Sequence, residues 1–497
     1  MTERARAHPV LLPARARWHG VALFVLFLTV AVAIRVRDFG NPIVHVDEQY
    51  YLLVGDHMLH GAIPYVDIWD RKPVGLFLIF AAIRLLPGDG ILAYQLVATL
   101  FAAATAWLIA QGGRRLGANR VGSVAAGVFY IVWLSLLSGR GGQSPVFYNL
   151  FMAGAGVLTL RLPALAARED RRGIVVNGAA ACLLAGLAIQ TKYTPVVEGA
   201  FFGLAHLYFL RRAKASWRLT VAAALGWAVL GIAPTAIIVL AYRALGSAAF
   251  DAFWFSNFAS VALRKGYPAA KIVARLAGTT TQLSAFIVCA ILAWRMRPRR
   301  PEMILAFGWL AAALIAFAMI GAFFDHYALP LILVLTMIAA PIWGRYRVAL
   351  IATAAAGAIL FVFHLSTERD DRAAAFAVAR TMAANDGNEC PYVFAGDSIL
   401  YLLANACLPT AYAFPSTLAY EPEQGATGID EAAEVRRIMA HRPPVVVTLD
   451  EPLAPWNRDS LAIVAAALAR DYRLALVAPR DGRHMLVYVR RTRPTPG

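Results

Sequence analysis

The segment from residue 21 to residue 51 reads VALFVLFLTVAVAIRVRDFGNPIVHVDEQYY, an apolar run followed by a loop rich in charged and aromatic residues. No small-residue cleavage site follows the apolar run Val21–Ile34, which therefore indicates an uncleaved first membrane span. Similar runs alternate with short basic clusters as far as His364. The chain is 60% hydrophobic and 15% charged, whereas soluble proteins contain about 25% charged residues. The pattern predicts a polytopic, mainly α-helical membrane protein.

Eleven segments match the roughly 20 apolar residues that a helix needs to cross a bilayer. They are residues 19–38, 91–112, 121–138, 146–166, 174–191, 195–210, 217–243, 272–294, 303–322, 327–343 and 347–364. Every second loop is basic, beginning with an N-terminal tail that contains Arg4, Arg6, Arg15 and Arg17. Because basic loops stay in the cytoplasm, this alternation places the N-terminus inside and the loop 39–90 outside. The apolar run Val74–Leu86 is too short to span and predicts an interfacial helix.

The net charge of +17 does not indicate nucleic-acid binding, because the basic residues lie in short clusters between apolar runs. From Ser366 onward the composition changes: acidic residues and prolines are frequent again, and apolar residues are spaced as in a soluble protein. We therefore expect a membrane domain over residues 1–364 and a soluble domain over residues 365–497. With eleven spans, the second domain lies outside, which in a bacterium is the periplasmic side of the inner membrane.

The C-terminal segment alternates helical and strand patterns, which predicts a small α/β domain. The predicted helices are Arg369–Ala384 and Leu461–Arg470, and the predicted strands are Tyr392–Ala395, Val445–Leu449, Leu474–Val477 and Met485–Val489. Cys390 and Cys407 both lie in this segment, where a disulfide and two separate thiols are equally compatible with the sequence. Cys182 and Cys289 lie in apolar spans and are expected to be packing residues.

The first outer loop combines groups suited to transfer from a lipid phosphate. Asp47 and Glu48 follow the first span, and Arg71 and Lys72 precede the stiffening Pro73. A carboxylate can take a proton from an attacking hydroxyl, and cations can neutralise a leaving phosphate. Adjacent helical residues point about 100° apart, so one of the two acids should face a given cavity. The alternative is a solvated loop with a capping acid and snorkelling bases.

A resemblance to a known family adds to this interpretation. The motif is Asp47-Glu48-x-x-Tyr51, then Gly61-x-x-Pro64-Tyr65, then Asp70-x-Lys72-Pro73. It resembles the first outer loop of the GT-C glycosyltransferases, specifically the bacterial relatives of protein O-mannosyltransferases, which include the lipid A aminoarabinose transferase and the Rgt-type galacturonosyl transferases. The resemblance implies the GT-C fold, a polyprenyl-phosphate sugar donor, inversion at the sugar carbon, Asp47 as base and Lys72 on the donor phosphate. Relatives often have Lys-Pro-Pro, where this chain has Val74 after Pro73.

Other polar residues near the outer surface complete the predicted substrate site. The second outer loop, 139–149, has no acid, so Gln143 and Asn149 are expected to bind sugar hydroxyls and Asp47 to act alone, with Glu48 as the fallback. Lys192 is either a phosphate ligand or a snorkelling lysine. His326 and Tyr327 contact the phosphate or the prenyl chain, unless they belong to an aromatic belt. The full predicted set of substrate-binding residues is Glu48, Tyr51, Tyr65, Arg71, Lys72, Gln143, Asn149, Lys192, His326 and Tyr327.

The sequence thus predicts an inverting glycosyltransferase that moves a hexosyl or pentosyl group from a polyprenyl-phosphate donor to a hydroxyl of a lipid, glycan or protein acceptor. Membrane lipids are its other expected partners. Asp47 and Glu48 are also candidates for holding a divalent cation, and no other cofactor is predicted. A lipid or sugar transporter is the first alternative, although no inverted repeat is evident. A non-catalytic membrane scaffold is the second.

Overall fold

The computed structural model describes residues 14–491, with side chains from Gly20 onward. Arg4 and Arg6 of the predicted cytoplasmic tail lie outside the described residues, as do the side chains of Arg15 and Arg17. The first sixteen α-helices are α1 (Ala14–Arg35), α2 (Val46–Leu59), α3 (Val74–Arg84), α4 (Ile91–Arg115), α5 (Arg120–Leu136), α6 (Ser144–Thr159), α7 (Leu162–Ala167), α8 (Arg171–Ile189), α9 (Pro195–Arg212), α10 (Trp217–Ala244), α11 (Ser247–Trp254), α12 (Ser260–Ala262), α13 (Ala269–Arg295), α14 (Pro301–Ala318), α15 (Leu329–Arg345) and α16 (Arg347–Thr367).

Each of the eleven predicted spans coincides with helical structure. Among residues 14–491, nine helices are long and apolar enough to cross a membrane, judged by length and composition. The other two predicted spans are α5, which has 17 residues, and α9, whose 18 residues include the charged Glu198, Arg211 and Arg212. Helix α3 has 11 residues, in agreement with the prediction that this apolar run is too short to span. The chain is a multi-pass membrane protein.

Helix α15 lies at the centre of the bundle. Its apolar residues occur on all sides, and 83% of its most apolar 18-residue stretch is buried, compared with 11% for the corresponding stretches of α10 and α16. A helix that is apolar all round must be covered by protein or by lipid. Close packing on α5 depends on Gly122, because a Cβ there would collide with the backbone of Ala340 and Gly344 on α15. Helices α10 and α16 instead lie at the lipid-facing periphery.

The C-terminal segment forms a small α/β unit whose sheet has the strand order β1-β2-β4-β3. Its elements are α17 (Arg372–Ala383), β1 (Tyr392–Val393), α18 (Ile399–Leu403), α19 (Ser416–Ala419), α20 (Glu431–Ala440), β2 (Val445–Leu449), α21 (Arg458–Asp471), β3 (Tyr472–Arg480) and β4 (Arg483–Arg490). Strands β1 and β2 are parallel, and the other pairs are antiparallel. All four predicted strands and both predicted helices are present, with β3 and β4 longer than predicted. The domain boundary at residue 364 stays a prediction.

The α/β unit packs on the first loop through specific contacts. The Trp69 amide donates to the Ala411 carbonyl over 2.8 Å, and Gln49 Nε2 donates to Asp397 Oδ1 over 2.9 Å. The rings of Tyr50 and Phe414 lie 5.1 Å apart. Because Gln49 and Tyr50 belong to α2, this helix is fixed between the bundle and the C-terminal segment.

Cys390 and Cys407 form a disulfide, with their Cα atoms 4.9 Å apart. The bond joins the start of β1 to the loop that follows α18 and leads to the residues that contact Trp69. Cys182 and Cys289 are unpaired and buried, as expected for packing residues.

We expect the paired substitutions Cys390→Ser and Cys407→Ser to lower the free energy of unfolding by about 3 kcal/mol, because a closed loop of this size restricts the unfolded chain. Thermal unfolding of the full chain in detergent, with and without dithiothreitol, measures the effect. The reductant should lower the melting temperature of the natural chain to that of the variant and leave the variant unchanged. Equal shifts in both proteins would show that the bond does not stabilise the fold.

Candidate active site

A cavity of about 460 Å³ lies where the loops of the bundle meet the C-terminal segment. Six separate parts of the chain contribute its walls: the first loop, the α5–α6 loop, the α8–α9 loop, residues 261–275, the residues before α15, and residues 414–454. Its charged and polar lining includes His45, Asp47, Tyr51, Asp70, Arg71, Lys72, Gln143, Lys192, Arg264, Tyr267, Arg275, His326, Tyr327, Tyr420 and Glu423. We call it the central cavity.

Asp47 reaches the central cavity from the first turn of α2, where the helix dipole favours a negative charge. Gln143 Nε2 donates to Asp47 Oδ2 over 3.2 Å, and His326 Nε2 lies 4.0 Å from the same oxygen. Burial acts to raise the pKa of Asp47, but Lys72, His326 and the Gln143 hydrogen bond outweigh it. The pKa of Asp47 is therefore lower than that of an ordinary aspartate, and the side chain is a carboxylate at neutral pH.

His45 orients this carboxylate, and sequence reasoning did not assign it a role. Its Nδ1 atom accepts hydrogen bonds from the Asp47 backbone amide over 3.3 Å and from Gln143 Nε2 over 2.5 Å. Burial lowers the pKa of His45 to about 4, although Asp47 opposes the shift. The imidazole is thus neutral, and its unprotonated Nδ1 caps α2. Its position at the start of the helix was the only available signal.

Glu48, the neighbour of Asp47, points away from the central cavity. Tyr94 donates its hydroxyl to Glu48 Oε1 over 3.1 Å, and the carboxyl group fits against Gly141, where any Cβ would collide with it. Burial raises the pKa of Glu48 to about 8. Glu48 therefore holds the α5–α6 loop that carries Gln143, and it does not join Asp47 around a common ligand. This agrees with the prediction that only one acid would face the cavity.

Lys72 and Lys192 bring two ammonium groups into the central cavity. Lys72 Nζ lies 5.4 Å from the ring centroid of Tyr51, and Lys192 Nζ lies 4.1 Å from that of Tyr327. Burial acts to lower the pKa of Lys72, but Tyr51, Asp47 and other acidic groups raise it well above its usual value. Burial and the nearby charge of Lys72 lower the pKa of Lys192 to about 7. Among the described residues, neither lysine forms a salt bridge with a carboxylate, so both are available to an anion.

Arg71 lines the central cavity but is already paired. Its Nη1 atom donates to Glu423 Oε2 over 2.5 Å, and Nε donates to Ser260 Oγ over 3.0 Å. Arg264 Nη2 donates to the other oxygen of Glu423 over 2.6 Å. Glu423 belongs to the C-terminal segment, so the two arginines hold this segment over the cavity. No sequence pattern links these three residues.

Two predicted substrate-binding residues lie outside the central cavity together with Glu48. The Tyr65 hydroxyl donates to the Lys72 carbonyl over 2.6 Å, and the Tyr65 ring packs on Tyr242 with centroids 5.5 Å apart. Asn149 is buried in the bundle, where its Nδ2 atom donates to the Tyr130 hydroxyl and to the Leu329 carbonyl, each over 3.2 Å. Tyr65 therefore supports the backbone of Lys72, and Asn149 joins α6 to α5 and the start of α15. The other eight predicted site residues line the cavity.

Among residues 20–491, no group of three or more histidine, cysteine, aspartate or glutamate side chains is arranged to hold a metal ion. The pair proposed from the sequence, Asp47 and Glu48, is divided between the cavity and the α5–α6 loop.

The fold is similar to those of two solved structures, in agreement with the GT-C fold expected from the sequence. The solved structure of ArnT from Cupriavidus metallidurans bound to undecaprenyl phosphate matches with a TM-score of 0.61 and 14% identity, over 96% of this chain and 98% of that one. The archaeal oligosaccharyltransferase AglB from Archaeoglobus fulgidus, in complex with an inhibitory peptide and a dolichol-phosphate, matches with a TM-score of 0.54 and 11% identity, over 88% of this chain and 70% of that one. No protein-family model and no curated protein matches the chain.

Since the pKa of Lys192 lies near 7, we expect the affinity of the central cavity for sulfate to depend on pH. An anion stabilises the protonated lysine, so binding should be strongest below pH 7 and fall by about tenfold as the pH rises through 7, which corresponds to the loss of one charged hydrogen bond. Sulfate keeps its charge over this range, and titration calorimetry at pH 6 and pH 8.5 measures the difference.

Lys192→Met should remove this pH dependence, and Lys265→Met, which changes an exposed lysine outside the cavity, should preserve it. A pH dependence that persists in Lys192→Met would assign the titrating group elsewhere.

Proposed function

We propose that this protein transfers a sugar from a polyprenyl-phosphate donor to a hydroxyl acceptor on the outer side of the bacterial inner membrane. The observation that carries the proposal is that the central cavity holds the ionised carboxylate of Asp47 together with the ammonium groups of Lys72 and Lys192, which form no salt bridge with a carboxylate among the described residues. The ArnT structure with undecaprenyl phosphate and the AglB structure with a dolichol-phosphate support a donor of this kind.

The proposed reaction is a single displacement at the anomeric carbon of the sugar. Asp47 takes the proton of the acceptor hydroxyl, whose oxygen forms the new bond to carbon while the bond from carbon to the phosphate oxygen breaks. The phosphate leaves with the bonding electrons, and Lys72 and Lys192 stabilise its additional negative charge. Attack from the face opposite the phosphate inverts the configuration. Gln143 and the neutral His45 keep Asp47 oriented without taking its proton.

An apolar groove offers a place for the prenyl chain. It has a volume of about 580 Å³ and lies between α13, α14 and α15, where its walls include Leu276, Leu283, Ala290 and Phe317. The groove begins at Leu276, one residue beyond Arg275, which lines the central cavity. A phosphate held by the lysines would therefore have its lipid tail next to an apolar channel along the membrane-spanning helices.

The C-terminal segment supports this orientation and function. Its disulfide is typical of an oxidising compartment such as the periplasm. Residues of this segment, among them Phe414, Tyr420 and Glu423, cover the central cavity. Covering excludes water, which would otherwise compete with the acceptor hydroxyl for the activated sugar. We assign the segment a role in acceptor binding as well as in closure.

We expect Asp47→Asn to lower the rate of transfer by about 10²- to 10⁴-fold, because an amide cannot take the proton of the acceptor. The assay supplies the purified chain with an undecaprenyl-phosphate sugar and candidate acceptors and measures product by mass spectrometry. Asp67→Asn, which changes an exposed carboxylate of the same loop, is the matched control and should retain transfer. Unchanged transfer by Asp47→Asn would remove Asp47 as base, and movement of lipid between leaflets without product would instead indicate a transporter.

We expect Ala290→Phe to fill the groove and weaken the binding of undecaprenyl phosphate by about tenfold or more, since several buried isoprene groups lose their contacts. Geranyl phosphate should bind equally to the natural chain and to Ala290→Phe. Its two isoprene units are too short to reach Ala290, which lies about 21 Å along α13 from the start of the groove at Leu276. Val288→Phe places the same ring on the exposed side of α13 and serves as control. Equal loss for both lipids, or loss in the control, would show that the groove does not hold the chain.

A further inference from the structure

A second cavity, of about 220 Å³, lies between the residues that precede α2 and the C-terminal segment. Four arginines line it, and they come from three separate parts of the chain: Arg140 from the α5–α6 loop, Arg369 from the residues after α16, and Arg480 and Arg483 from the C-terminal sheet. The cavity also contains Glu368, Asp397 and Asp481.

The β3–β4 hairpin explains why two of these arginines lie together. Asp481 and Gly482 form its two-residue turn with φ angles of 50° and 80°, the left-handed conformation that an Asp-Gly turn adopts. Arg480 and Arg483 are therefore opposite each other in the strand register, at the end of the hairpin. The sequence Arg-Asp-Gly-Arg thus presents two guanidinium groups from a rigid turn.

Two of the four arginines are neutralised and two are not. Arg140 pairs with Asp38 and Glu368, and Arg480 forms a two-point ion pair with Asp397 at 2.7 and 2.9 Å. Among residues 20–491, Arg369 and Arg483 pair with no carboxylate.

The Nε atom of Arg483 is buried and has no hydrogen-bond acceptor in the described part of the chain. A buried donor without an acceptor is costly, and a bound anion would supply one. Asp481, the carboxylate of the cavity outside these ion pairs, and Arg369 are both exposed to solvent, whereas Arg483 is partly buried, so the charge of Arg483 is the less screened.

The second cavity adjoins the central cavity. His45, Val46 and Leu453 line both, and Val46 directly precedes Asp47. Lys72 and Lys192, which we assign to the donor phosphate, line only the central cavity. A molecule anchored in the second cavity would therefore approach Asp47 past His45, while the donor phosphate lies at the lysines.

We propose that the second cavity binds an anionic group of the acceptor, a phosphate or a carboxylate, through Arg369 and Arg483, and that the acceptor is consequently a negatively charged hydroxyl compound. This assignment rests on the proposed function, since it names the substrate that Asp47 deprotonates. The planar guanidinium group matches both oxyanions through paired hydrogen bonds.

Binding of three small probes to the full chain in nanodiscs tests this assignment. Glucose 6-phosphate carries a phosphate, glucuronate carries a carboxylate, and glucose carries neither, so the three probes together identify the anion. We expect at least one of the two anions to bind about tenfold or more tightly than glucose, and the variant Arg369→Gln with Arg483→Gln to remove this preference. Arg436→Gln with Arg473→Gln, which changes two exposed arginines of the same segment, is the matched control.

Further variants separate the two cavities. Lys72→Gln with Lys192→Gln should abolish the binding of undecaprenyl phosphate and leave the sugar anion bound. Arg369→Gln with Arg483→Gln should abolish the binding of the sugar anion and leave undecaprenyl phosphate bound. Arg369→Lys with Arg483→Lys retains the charge and should bind with intermediate affinity, which also distinguishes a lost site from a misfolded chain. An anion preference that persists in Arg369→Gln with Arg483→Gln but disappears in Lys72→Gln with Lys192→Gln would overturn the assignment.

Equal binding of all three probes would also overturn it. In either case the binding of undecaprenyl phosphate to the natural chain bears separately on the proposed function. If the lipid phosphate fails to bind, the donor assignment is wrong, whatever the sugar anions do.

Discussion

The central cavity depends on keeping the carboxylate of Asp47 ionised inside largely buried surroundings. Burial alone would protonate Asp47, as it does for the adjacent Glu48, whose pKa is raised to about 8. The difference arises from partners: Asp47 has the ammonium group of Lys72 and the amide of Gln143, whereas Glu48 has the Tyr94 hydroxyl and the backbone amide of Gly142. Two neighbouring acids therefore acquire opposite properties: Asp47 is ionised and faces the cavity, and Glu48 is buried away from it and holds a loop.

These partners meet only because the bundle and the C-terminal segment are assembled. Gln143 is placed by a loop that Glu48 fixes, and Lys72 is placed by Tyr65, which bonds to its carbonyl. Glu423 then joins the C-terminal segment to Arg71 and Arg264 above the cavity. The charges on the walls thus serve two purposes: the Arg71, Arg264 and Glu423 charges hold the cover in place, and Lys72 and Lys192 remain available to a ligand.

The two cavities and the groove give the proposed reactants separate approaches. An apolar tail would lie along α13, a phosphate at Lys72 and Lys192, and an acceptor near His45. This separation matters for a displacement reaction, because the attacking oxygen and the leaving phosphate must lie on opposite sides of the same carbon. The neutral imidazole of His45 stands at the junction and adds no charge that would compete with the lysines for the phosphate.

The amino-acid sequence alone predicts the membrane-spanning helices, the α/β character of the C-terminal segment and most of the residues proposed for the site that line the cavity, including Asp47, Lys72 and Lys192. The length of an apolar run, the alternation of helical and strand patterns and the first-loop motif are properties of neighbouring residues, so the sequence shows them directly. The folded structure was needed to show that Glu48 and Asn149 point into the protein interior and that Cys390 and Cys407 form a disulfide. It was also needed to place Glu423 and the Arg480–Arg483 hairpin beside the first loop, because contacts between segments hundreds of residues apart depend on how the helices pack, which a local sequence pattern does not reveal.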